Sequence, residues 1–203
     1  GEWFVEKKSE EDLVFRLCNF YGRYLNAARW GLDALEKKIN QLDPDYPPIW
    51  SDQSDYEKNI KAFGKSNCGH SLFPFNQTAI KALVDENCKS GEFLPRKMLH
   101  KLLEILKKRY QYERGEFPKD REITIDVSAD IIRETSDLEK SDRVRAFLSF
   151  WGYGAWVQGD LVRDLKHEIA VEFNLEQVVP YLQDGVPTPR KKQKEKKPEE
   201  VTE

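Results

Sequence analysis

Cysteine, histidine and methionine are scarce in this chain, at three, three and one among 203 residues. Cys18, Cys68 and Cys88 are an odd number, widely spaced, in a chain long enough to be held by its own core, so reduced thiols are expected rather than a disulfide framework. A metal site built from Cys68, His70 and Cys88 would need a fourth ligand at paired spacing, and none stands there; no metal is expected. His70, His100 and His167 have no serine or cysteine nucleophile motif beside them, and pairs such as Glu10 and Glu11 are ordinary helix-start charges, so a self-contained hydrolase is not expected. Long apolar runs are missing too. None approaches the ~20 residues of a membrane span, and the opening GEWFVEKKSEE lacks the apolar centre of a signal peptide, which points to a cytoplasmic protein with no membrane partner. Neither sign of charge dominates: a net charge of -3 gives no global pull toward nucleic acid, although local clusters still can. No internal repeat is visible. The start at Gly1 rather than Met points to a fragment of a longer chain.

Helical periodicity is what the chain has in quantity. Ser9 can cap a helix, and from Leu13 through Leu17, Phe20, Tyr21, Tyr24, Leu25, Ala28, Leu32, Leu35, Ile39 and Leu42 the apolar residues recur at three and four. The pattern predicts one long amphipathic helix over about residues 10–41, bent near Gly22 or Gly31. DPDYPPIWSDQSDYEKN, with three prolines, reads as a loop. Asn76 can cap a helix carrying Ile80, Leu83, Val84 and Asn87 or Cys88 on one side, ending in KSGEF. The next helix begins at Pro95. It is expected to bury Met98, Leu99, Leu102, Leu103, Leu106 and Tyr110, with His100, Lys101, Lys107 and Lys108 opposite. REITIDVS alternates as a short strand or extended arm, and three short helices are predicted over about 129–134, 142–150 and 160–173. Gly152, Gly154 and Gly159 separate the last two, and the tail from 184 reads as disordered. The expected fold is therefore mainly α: a long helix and a lid-like helical region over 1–118, a small helical region over 119–183, and a charged tail over 184–203.

Two strings bear on nucleotides. NIKAFGKS ends like the phosphate-cradling P-loop in Gly64, Lys65 and Ser66, but Asn59 stands where its first glycine belongs, and neither a buried strand before it nor a helix after it is predicted; it reads as a solvated loop. The second string, LFPF, is followed by a helix, a glycine turn and LPRK. Pro95 suits the first helical position because it has no amide hydrogen to lose there. Arg96 and Lys97 then fall in the first turn, where the helix dipole disfavours cations unless an anion sits between. The plainer alternative pairs Arg96 with Glu92 or solvent and turns Lys97 to water.

The order of LFPF, helix, glycine turn, LPRK and KMLHKLLEIL, about 40 residues, resembles the small helical lid that follows the nucleotide-binding core of AAA+ and related STAND-type P-loop ATPases. Within that group it is most similar to large bacterial ATPases of DNA-associated and phage-defence (antiviral) systems. The resemblance implies that Arg96 is a sensor 2 arginine reaching the terminal phosphates of ATP, with its Mg, and that Leu94 and Pro95 place it. Phe73, Pro74 and Phe75 would lead from core to lid. The chain departs from the family in having no Walker A motif and no apolar strand ending in paired acids before the lid, so the resemblance implies a missing ATPase core, upstream or in a neighbouring subunit, as partner.

Other readings stay open beside it. Residues 128–174 can form a helix-turn-helix or winged-helix module with 160–173 as recognition helix, but Arg163, Lys166 and His167 face Asp160, Asp164, Glu168 and Glu172 there, and a packed helical region is favoured. Trp151, Tyr153 and Trp156 read as packing more readily than as a contact surface. The basic run in the tail, with Arg190, Lys191, Lys192 and Lys194, can contact DNA or an acidic partner, with the following acids cancelling part of its charge. The reading favoured is a lid that senses nucleotide and relays its state to partners or DNA. The alternatives are a stand-alone helical protein-interaction module and a DNA-binding adaptor.

Overall fold

The Ser9 hydroxyl accepts a hydrogen bond from the Asp12 amide at 3.2 Å and opens α1, Glu10–Trp30. Glu10, Glu11 and Asp12 add negative charge at the positive end of its dipole. The computed structural model describes residues 9–38, 47–51, 57–88, 94–119, 132–133, 135–153 and 165–182. α1 buries Leu13, Val14, Leu17, Cys18, Tyr21 and Leu25, one side of the predicted stripe. The expected single helix to residue 41 is in fact two. Gly31 has φ 76°, outside the right-handed helical region, and α2 runs separately over Leu32–Lys38. Beyond that break the stripe loses its cover: Leu32 is 68% exposed, and even within α1 Tyr24 is exposed.

The predicted loop over 43–59 is corrected at its end, because α3 occupies Glu57–Ala62. It packs on the helix His167–Glu172 (α8 below), and Ala62 and Phe63 go into the core, so tertiary contact stabilises a segment too short to show a period. The GKS string, expected as a solvated loop, leaves Lys65 exposed but buries Ser66. The Ser66 amide donates to the His70 carbonyl at 2.8 Å and the Leu72 amide to the Gly64 carbonyl at 3.1 Å, closing a tight turn in which Ser66 is buried, with Phe63 buried just before it. The left-handed Gly64 breaks the chain between α3 and this turn.

α4, Gln77–Asn87, is capped as its sequence implies: the Asn76 side chain accepts from the Ala79 amide at 2.8 Å. The same side chain donates to the Trp151 carbonyl at 2.9 Å, and the Trp151 indole donates to the Pro74 carbonyl at 2.9 Å, so the start of α4 is tied to the end of α7, Ser141–Trp151. α5 spans Pro95–Leu106 and α6 Arg109–Glu113. Of the residues expected to be buried on this stretch, Met98 and Leu102 are fully buried, whereas Leu103 is 40% and Tyr110 76% exposed. The chain leaves the α5 axis at Lys107 and Lys108, which turns Tyr110 outward.

The expected helix over 160–173 is corrected where it is described. Leu165 and Lys166 are not helical, Lys166 has ψ 138°, and only His167–Glu172 forms α8, followed by a 3-10 turn over Glu176–Tyr181. Leu165 and Phe173 bracket α8 and are both buried, so this short helix is pinned inward at each end rather than presented outward. Trp151, Phe173, Phe147 and Phe117 form its aromatic anchor, with Trp151 and Phe173 centroids 4.7 Å apart. Trp151 is therefore core; Tyr153 packs half-buried against it, and Trp156 lies outside the described residues. Buried residues from Leu13 to Leu182 share one cluster, including residues on both sides of the expected 118/119 boundary. The protein is mainly helical, and an isolated β bridge joins Lys65 to Ser71. No described helix is long and apolar enough to cross a membrane. The expected strand over 121–128, most of the helix over 129–134 and the tail over 184–203 lie outside the described residues.

Candidate functional site: the first turn of α5

Pro95 takes the first position of α5, and Leu94, the residue before it, offers no side chain to cap the helix. Among the described residues the amides of Arg96 and Lys97 in that first turn have no side-chain acceptor, and these ends carry the positive pole of the dipole. Both side chains are exposed, and among the described residues neither has a hydrogen-bond or ion-pair partner. Farther along, acidic Glu104 lies within the helix beside the other basic side chains: His100 and Lys101 each approach it at 3.2 Å. Among the described residues, the α5 cations without an ion-pair partner are thus those at its start.

The turn is held firmly from below. The Tyr21 hydroxyl, buried in α1, donates to the Met98 carbonyl at 2.7 Å, while Met98 and Leu102 are fully buried beneath it. Burial pushes the Tyr21 phenol well above its ordinary range, so it remains a donor at all ordinary pH. Cys88, next to the end of α4, has its thiol pushed up by burial, opposed by a backbone hydrogen bond from Leu94 and by the charge of Lys97. α5 also packs against α4. Phe75, buried, packs its ring against Tyr21 at 5.1 Å, so the LFPF segment, α1 and α5 meet through one side chain.

Outward, Leu94, Pro95, Arg96, Lys97, Leu99, His100 and Leu103 line an open concavity of about 640 Å³. Its walls are apolar and its charged groups are cations, a combination that suits an anion carrying an apolar portion, or a partner surface of that kind. Periodicity did not reveal this wall. It placed Leu103 in the core, because the apolar arc of α5 is wider than the side that α1 and α4 cover. The exposed Leu94 before the proline is the one residue whose position outside the helical pattern could have signalled it.

The first turn has donors for phosphate oxygens. For a divalent cation the described residues have no group of three or more candidate ligands, and Cys68, His70 and Cys88 form no such group. Arg190, Lys191, Lys192 and Lys194 lie outside the described residues. No protein-family model, no curated protein and no solved structure matches this chain.

Proposed function

We propose that this chain is the lid of a nucleotide-driven machine, closing over ATP bound by a P-loop core that the described residues do not contain. The observation that carries the reading is the first turn of α5, with two exposed cations, no side-chain cap and no ion-pair partner among the described residues, on a helix fixed from beneath by Tyr21 and Met98. Cations at that end of a helix are unfavourable alone and become favourable with a phosphate between them and the amides. Arg96 would reach the terminal phosphates, Lys97 would add charge beside it, and Mg would arrive with the nucleotide and be held by acids of the core. Tyr21, Phe75 and Trp151 would carry the closed or open state from α5 into α1 and α7, and so to a partner or to DNA.

The test is ATP turnover by the ATPase that supplies the core. Arg96→Ala should leave thermal melting of this chain unchanged while slowing turnover by about 100-fold, since a guanidinium facing a transferring phosphoryl group stabilises charge that develops there. Wild-type turnover with Arg96→Ala, or a lowered melting temperature, would leave Arg96 incidental or structural.

A second reading has its own observation. Leu94 at 38% and Leu103 at 40% exposure make the same concavity apolar-walled, which favours a stand-alone helical module that binds an acidic protein segment. Under that reading Leu103→Ser weakens partner binding and nucleotide has no effect.

A further inference from the structure

The chain is net acidic, yet its basic residues are not evenly spread. Residues 13–32, 47–51 and 58–76 contain six Lys and Arg and no Asp or Glu, with the Arg29 guanidinium donating to the Ser71 and Phe73 carbonyls. The fold brings these segments side by side. The Asn26 amide of α1 donates to the Pro48 carbonyl at 3.0 Å, its oxygen accepts from the Trp50 amide at 2.7 Å, and the Trp30 indole donates to the Pro48 carbonyl at 2.8 Å. Those bonds lay residues 47–50 along α1. The turn carrying His70 lies beside them: a β-carbon on Gly69 would come within 3.1 Å of Ile49, and one on Gly22 of α1 within 3.0 Å of the His70 β-carbon.

On the outer side of this layer Arg16, Arg23 and Trp30 follow one another at seven-residue steps, each rising about 10.5 Å along one face of α1. Arg16 and Arg23 are exposed. His70 is half-buried, and its pKa is lowered by burial and then by the charges of Arg23 and Arg29, a sign of positive potential at this place. Trp50, 37% exposed, meets Trp30 edge-on at 5.0 Å, and Ile49 beside it is 51% exposed. The surface therefore joins the two guanidinium groups of Arg16 and Arg23 to an indole held in place by its neighbours.

We propose that this face of α1, with the loops bearing Trp50 and His70, binds single-stranded nucleic acid. The arginines pair with phosphates along the strand, and Trp50 with Ile49 offers a flat apolar platform on which a base stacks. A duplex hides its base faces, so the indole gives it no such contact. An amphipathic acidic helix would need a longer apolar stripe than the two neighbouring side chains supplied here. The site is separate from the α5 concavity and stands whether or not the lid reading does.

Anisotropy of a short fluorescein-labelled oligothymidylate, measured with the full chain at low salt, tests the proposal, with oligouridylate in parallel to tell DNA from RNA. Binding of either strand is expected, weakening as salt is raised. Arg16→Glu with Arg23→Glu should lower affinity at least about ten-fold and reduce the salt slope by about 0.7 per arginine. Trp50→Ala should cost about ten-fold through lost stacking, with unchanged circular dichroism confirming that the fold is kept. Changing Arg190, Lys191, Lys192 and Lys194 to Gln should cost at most about three-fold. The proposal is overturned if neither strand binds, if the tail variant alone abolishes binding, or if a duplex of equal length or polyglutamate binds as tightly as the single strand.

Discussion

Gly22 lies in the middle of α1, and a methyl group there would come within 2.9 Å of the Ser66 hydroxyl and 3.0 Å of the Ser66 and His70 β-carbons. Two of those three atoms are fixed to backbone, so no rotamer change relieves the contact. Helix propensity pulls the other way, because Ala is better than Gly in a helix interior by about 1 kcal/mol. Overpacking of a close contact costs about 1 to 3 kcal/mol, and it should win. Gly22→Ala is therefore expected to destabilise the chain by about 1 kcal/mol in urea unfolding; a stabilised variant would show that α1 and the Ser66–His70 turn do not approach this closely. From the residues alone Gly22 and Gly31 were equal candidates for a bend. Only Gly31 takes a left-handed φ, and Gly22 is there for closeness, which no local pattern discloses.

At the scale of the element, α5 shows what periodicity can and cannot report. Pro95 at its start and the burial of Met98 and Leu102 follow from the helical pattern, as do the Ser9 and Asn76 caps of α1 and α4. How much of an apolar arc is covered depends on neighbours, and Leu103 and Tyr110 lie beyond the part that α1 and α4 reach. α3 was invisible for a different reason: six residues make fewer than two turns, and its helicity comes from packing on α8. The difference across α5 is measurable. Leu102→Ala leaves a cavity in a fully buried position and should cost about 2 to 5 kcal/mol, whereas Leu103→Ala, at an exposed position, should cost under about 1 kcal/mol. Equal losses in thermal or urea unfolding would mean that the concavity beside Leu103 is closed by this chain itself.

Across the whole molecule, side chains far apart in sequence lock α1, α4, α5, α7 and α8 together, and these pairings were the least legible from residue order. Trp151 bonds to Pro74, receives a bond from Asn76 and packs on Phe173, so the α7 terminus joins the LFPF segment to α8. Trp151→Ala should cost about 3 to 5 kcal/mol, and the loss should appear equally by probes on α1 and on α8; separate transitions would mean two independent units. The proposed function uses that rigidity, because a phosphate met at the start of α5 is felt elsewhere only if α5 is fixed to its neighbours. The position of Arg96 in a first turn was readable from Pro95, while the lack of a cap, the support from Tyr21 and the apolar wall required the fold. The most direct measurement is an NMR titration of the isotope-labelled chain with Mg-ATP. Without a P-loop's nest of amides and its lysine, binding should be weak, with affinity no tighter than about millimolar. The amides of Arg96, Lys97 and Met98 should shift most, and Arg96→Ala should remove the shifts. Shifts centred on another part of the chain, or none at saturating nucleotide, would contradict the placement of a phosphate site at the start of α5.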